Sequence, residues 1–130
     1  MIKLESEQQF EELKKENTVF EFTAGWCPDC RVIEPDLPKL EEKYTDFKFV
    51  SVDRDEFIDL AIENDIMGIP SFLVFKQGEL VGSYIGKERK SIEQIDEFLS
   101  QYKKYFIIEN LCLILSGKIE FYLSNTLISL

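Results

Sequence analysis

Trp26-Cys27-Pro28-Asp29-Cys30 lies where a strand pattern gives way to a helical one, and it constrains the fold more than any other stretch. The run before it, Thr18 to Ala24, is rich in β-branched and aromatic residues and predicts a strand that Gly25 ends. After it, Ile33, Leu37, Leu40 and Tyr44 form one helical stripe. Pro28 suits the first helical position, where its missing N–H would be an orphan anyway. Two cysteines at that spacing lie side by side on a first helical turn, so they can close a disulfide and reopen it. Unpaired N–H groups and the helix dipole stabilise an anion there, which makes Cys27 the more acidic thiol.

The remaining pattern alternates. Ser6 and Gln9 match a capping box ahead of Phe10 and Leu13, and Asn17 closes that helix. Pro35 and Pro38 fall inside the helix after the cysteines, so it must kink or restart near them. Phe47 to Val52 predicts a buried strand, and Asp53 to Asn64 a short polar helix beginning near Asp55. Ser71 to Phe75 and Leu80 to Ile85 predict two strands joined by a hairpin turn at Lys76-Gln77-Gly78-Glu79. Ser91 and Gln94 repeat the capping box before a last amphipathic helix carrying Ile92, Ile95, Phe98, Leu99 and Tyr102. The order gives an α/β fold, a central mixed β-sheet flanked by helices on both faces.

Composition narrows the chemistry. The 130 residues make one domain with a single core, and 45% hydrophobic content fits a folded globule. A net charge of −10 repels phosphates, so nucleic acid and anionic lipid are not expected partners. A structural zinc site needs about four Cys or His ligands, and an iron–sulfur cluster about four thiolates. This chain has three cysteines and no histidine, so no metal is expected. The lack of histidine also removes Cys–His proteases and a c-type haem. A redox pair is favoured over an intermolecular metal site or an inert pair. No apolar stretch at the N-terminus is long enough for a signal peptide, so the expected location is the reducing cytoplasm.

Trp-Cys-x-x-Cys after a strand, Pro35 five residues past Cys30, Gly68-Ile69-Pro70-Ser71-Phe72 before a hairpin strand, the Phe75–Glu79 turn and Gly86 together resemble the thioredoxin family. The resemblance covers roughly residues 2 to 103. It implies the thioredoxin fold over 1–104, a thiol–disulfide oxidoreductase that reduces disulfides in proteins or small molecules, and a place in cell redox homeostasis. No cofactor beyond the Cys27–Cys30 disulfide is implied, and the partner that recycles it is a flavin-dependent thioredoxin reductase. Cys27 corresponds to the nucleophile and Cys30 to the resolving thiol. Trp26 corresponds to the aromatic that covers the site, and Pro70 to a cis-proline facing the sulfurs. Ile69 would pair through its backbone with an extended substrate segment. Glu21 stands where the family holds a buried Asp that exchanges protons with the resolving cysteine. Read from the residues alone, a strand-entry proline is the favoured reading of Pro70. Glu21 interrupts the apolar run Val19-Phe20-Glu21-Phe22, which favours a buried carboxylate over a solvent-facing one on a half-exposed strand.

Three features depart from the family. Pro28-Asp29 replaces the usual Gly-Pro, and Asp29 should oppose the Cys27 thiolate and repel acidic substrates, unless it is simply a good helix-start residue. Phe49 stands where many members carry a Lys near the buried carboxylate. Residues 105–130 have no counterpart: only Glu109, Lys118 and Glu120 are charged, and two apolar runs flank Ser116-Gly117-Lys118. This apolar C-terminal extension is too interrupted to span a membrane. It reads as a hairpin for self-association or partner contact, a membrane-surface segment, or sequence foreign to the domain, with Cys112 a small hydrophobe or a regulatory thiol. A second reading of the whole chain is a binding module that docks a partner through this tail.

Overall fold

The computed structural model describes residues 1–102, and the chain divides into two units, Met1–Phe98 and Leu99–Leu130. The expectations for 105–130, including the hairpin, Cys112 and the 104/105 boundary, lie outside the described residues. In chain order the elements are β1 (Ile2–Lys3), α1 (Glu7–Leu13), β2 (Thr18–Thr23), α2 (Pro28–Ile33), a 3-10 turn (Glu34–Asp36) and α3 (Leu37–Lys43). They continue with β3 (Lys48–Asp53), α4 (Ile58–Glu63), β4 (Ser71–Lys76) and β5 (Glu79–Tyr84). A helix, α5, runs from residue 92 to the last described residue, 102. The sheet order is β1-β3-β2-β4-β5. β1, β3 and β2 run parallel, while β4 lies antiparallel to both β2 and β5. The mixed sheet is the one expected.

Local chemistry sets the boundaries. Ser6 Oγ accepts the Gln9 N–H at 3.0 Å, but the Gln9 side chain returns to the Glu5 N–H at 2.7 Å, one residue before the cap. At α5 the box closes reciprocally, with Ser91 Oγ accepting from Gln94 at 3.1 Å and Gln94 Oε1 accepting from Ser91 at 2.9 Å. Helix α1 stops at Leu13, short of the Asn17 expected, because Thr18 Oγ1 donates to the Leu13 carbonyl at 2.7 Å. The Lys15 and Glu16 N–H groups meanwhile bond three residues back, which tightens the chain out of the helix. Helix α4 begins at Ile58 and not near Asp55. Asp53 Oδ1 accepts the Asp55 and Glu56 N–H groups at 2.9 and 3.1 Å, holding them in a turn. Pro35 and Pro38 produce the predicted restart, a 3-10 turn between α2 and α3. Gln77 and Gly78, at φ 52° and 93°, form the two-residue hairpin turn, whose N–H groups dock on the carbonyls of Glu16 and Lys14.

Strand β2 is central, so residues pointing to both faces are buried. On one face Phe20 and Phe22 join Leu73 and Phe75 under Phe10 of α1 and Leu60 of α4. By the period of two, Val19, Glu21 and Thr23 point to the other face. The stripe expected on α2 and α3, Ile33, Leu37, Leu40 and Tyr44, is wholly buried. Tyr44 donates through its hydroxyl to the Asp96 carboxylate of α5, and Lys43 pairs with the same carboxylate at 2.8 Å.

Candidate active site

The β2-to-α2 junction places both cysteines. The Arg31 guanidinium donates to the Gly25 carbonyl, its Nε at 2.9 Å, and the Cys27 N–H reaches the Ala24 carbonyl at 3.2 Å. Cys27 is thereby the N-cap of α2, and its Sγ accepts the Cys30 N–H at 3.2 Å. Both are free thiols, 4% and 1% exposed, packed with Ala24 and Ile69. Burial pushes the Cys30 thiol up to about 12, and its hydrogen bond with Cys27 adds to this. Bonds to the Thr23 side chain and Ala24 backbone pull the other way and do not prevail. Cys30 therefore keeps its proton at neutral pH, and the sulfur that receives a helix-start N–H is that of Cys27.

The other side of the site comes from the loop before β4. The Ile69–Pro70 peptide bond is cis, and Pro70 is buried directly ahead of the strand. The Ile69 carbonyl lies 3.9 Å from Cys27 Sγ. Gly68 allows this loop to touch the segment after β5: a Cβ there would meet the Gly86 carbonyl carbon at 2.6 Å. Trp26 is 60% exposed, its Nε1 donates to Asp55 at 2.7 Å, and Arg54 stacks 5.3 Å from its ring centre. Trp26, Cys27, Pro28, Met67, Ile69 and Lys87 line a groove of ≈ 380 Å³.

Glu21 is 4% exposed, so it is not the solvent-facing glutamate of the alternative reading. Its register partners are Ser51 and Phe72. Burial first, and the Glu34 carboxylate second, raise it from 4.5 to about 7. The unfolded chain therefore releases this proton before the native state does. Stability is fully present below pH 4.5, falls as pH rises towards 7, and levels off beyond. Glu21→Gln should remove that slope, so its stability relative to the parent rises by about 3 kcal/mol between pH 4 and pH 8. Urea midpoints at the two pH values check this, and equal shifts at both would contradict it.

Asp29 does not stand alone as its sequence position implied. Arg89 Nε donates to its Oδ1 at 3.0 Å across 60 residues of chain, which answers its charge. Phe49, at the place of the family's Lys, is buried in β3 opposite Val19. Sequence reasoning also missed the Trp26–Asp55 bond and the burial of Lys90, which is 2% exposed. Nothing in the local pattern marks either of them. Among the described residues no group of three or more Cys, Asp or Glu is arranged to hold a metal ion.

The family model described as Thioredoxin matches residues 1–101. Mitochondrial thioredoxin-3 of Saccharomyces cerevisiae is 37% identical over 94 residues, 71% of this chain and 74% of that protein. Its crystal structure in the oxidised form superposes with a TM-score of 0.65 at 35% identity, covering 75% of this chain and 93% of the other. The crystal structure of thioredoxin from Trypanosoma brucei brucei gives a TM-score of 0.71 at 26% identity, covering 80% and 91%. With the Cys27–Cys30 junction in place on the same fold, these matches establish that the chain belongs to the thioredoxin family and is a thiol–disulfide oxidoreductase, a disulfide reductase.

Proposed function

We propose that Cys27 is the attacking sulfur, Cys30 the resolving thiol and Glu21 the base that takes the Cys30 proton. The carrying observation is the asymmetry of the pair: Cys27 Sγ accepts the Cys30 N–H at 3.2 Å, while burial holds the Cys30 thiol at about 12. The Cys27 thiolate attacks one sulfur of a substrate disulfide, forming a mixed disulfide and expelling the other sulfur as a thiolate. Glu21 then takes the Cys30 proton, directly or through water. The Cys30 thiolate attacks Cys27 Sγ, closes the Cys27–Cys30 disulfide and releases the second substrate thiolate. Two electrons pass from the dithiol to the substrate. A carboxylate whose pKa sits near neutrality can both take and return that proton at physiological pH.

Supporting this reading, the exposed indole of Trp26 and the Ile69 backbone line one groove with Cys27, where an extended segment would add to the Ile69 backbone. Pro28 starts α2 and Asp29 engages Arg89, so both shape the site without entering the exchange. The substrates are disulfide-bearing proteins or small disulfides, a flavin-dependent thioredoxin reductase returns the dithiol, and the working location is the reducing cytoplasm. Cys30→Ser tests the division of labour. It should accumulate a mixed disulfide on Cys27 when mixed with cell extract, visible as a reductant-sensitive adduct. Adducts that persist in Cys27→Ser/Cys30→Ser, both variants carrying Cys112→Ser, would contradict it.

A further inference from the structure

The groove beside Cys27 has three charged residues in its lining, Asp29, Arg54 and Lys87. Two are answered within the protein. Arg89 pairs with Asp29 at 3.0 Å, and Arg54 lies 3.3 Å from Asp55. Lys87 is left over: it has no hydrogen-bond or ion-pair partner among the described residues. The adjacent Glu88 makes no ion pair with it, and the Glu88 carboxylate favours the charged form of the Lys90 ammonium.

The backbone that presents Lys87 is held in place. A Cβ on Gly68 would lie 2.8 Å from the Lys87 nitrogen, so this segment rests directly against the loop that carries Ile69. Lys90, 2% exposed, donates through Nζ to the carbonyls of Gly86 at 3.1 Å and Glu88 at 3.4 Å, and sits 5.0 Å from the Tyr84 ring centre. A buried ammonium clasping carbonyls on both sides of Lys87 fixes where that residue emerges. The rest of the lining is apolar at its most exposed points, with Trp26 and Met67 at 60% and 74% exposure.

We propose that the groove selects disulfide segments carrying a carboxylate side chain next to an apolar residue at the attacked cysteine, with Lys87 as the specificity-determining cation. The proposal rests on the disulfide-reductase reading above. It reverses the expectation drawn from Asp29, whose charge Arg89 engages. The net charge of −10 opposes an acidic partner only at long range, and at physiological salt such fields fade beyond about 8 Å. Lys87 acts at contact, where an apolar neighbour on the substrate can lie against Trp26 and Met67.

The test uses three peptides, each with one intramolecular disulfide and identical except for a Glu, Gln or Lys two residues before the attacked cysteine, with Leu between. The reduced full-length protein is mixed with each at about 0.15 M salt, and peptide thiol is quantified by chromatography. The parent protein should reduce the Glu peptide about 3- to 10-fold faster than the Lys peptide, the range expected of an exposed charge contact. Lys87→Glu should invert that ratio, Lys87→Gln should bring it near one, and about 1 M salt should collapse it in the parent. If all three peptides are reduced at one rate, or Lys87→Glu keeps the parent's ratio, the selectivity is wrong and the reductase reading stands. If none is reduced, both fall.

Discussion

Phe20→Ala is expected to destabilise the domain by about 4 kcal/mol. Phe20 is fully buried on the central strand, and its ring lies 4.5 Å from that of Phe10 and 5.7 Å from that of Phe75, centre to centre. Truncation removes the transfer free energy of the ring, leaves a cavity between α1 and the sheet, and breaks two aromatic contacts at once. The neighbours cannot collapse into the space. β2 is locked in register with β3 on one side and β4 on the other. Domains of this size are stable by about 5–15 kcal/mol, so the variant should remain folded at 25 °C with a melting temperature lower by roughly 15–30 °C. Urea denaturation should show a lower midpoint at an unchanged slope. Ile62→Ala, at a position 66% exposed, should shift stability by less than about 0.5 kcal/mol. Equal effects of the two substitutions would contradict the placement of the core.

Features encoded over a few residues were legible in the sequence. The CxxC at a strand–helix junction, the Gln77-Gly78 hairpin, the two proline-driven breaks and the Ser91–Gln94 cap each depend on neighbours in the chain. Glu21 was legible in part: it interrupts an otherwise apolar strand, but only the central place of β2 in the sheet excludes the solvent-facing alternative. Helix ends were read less well, because side chains from outside the helical pattern set them. Thr18 captures the Leu13 carbonyl and Asp53 captures two N–H groups, and a periodicity argument sees neither.

What escaped the sequence altogether is contact between distant segments. Arg89 meets Asp29 across 60 residues and Trp26 meets Asp55 across 29. Arg89 belongs to Lys87-Glu88-Arg89-Lys90, which reads locally as a solvated charged turn. In the fold the four side chains divide their duties. One is buried as a clasp, one bears on that clasp, one answers Asp29, and one lines the groove. The charge environment of the cysteines is thus partly tertiary, because Arg89 engages the Asp29 carboxylate.

The second large effect falls on activity. Insulin reduction driven by dithiothreitol needs a thiolate that attacks the substrate and a second thiol that releases it, and the proposed division of labour gives the first step to Cys27. Cys27 caps α2, lies 3.9 Å from the Ile69 carbonyl and lines the groove, whereas Cys30 is protonated and is not part of that lining. A serine hydroxyl at position 27 is not ionised at neutral pH and cannot form the mixed disulfide, and Cys30, protonated and outside the groove lining, does not substitute for it. The most direct measurement is therefore the rate of insulin reduction by the parent protein and by Cys27→Ser at matched concentration. The parent should accelerate the reaction well above dithiothreitol alone, and Cys27→Ser should return it to that background. A parent no faster than dithiothreitol, or a Cys27→Ser protein that keeps the parent's rate, would contradict the assignment of this site.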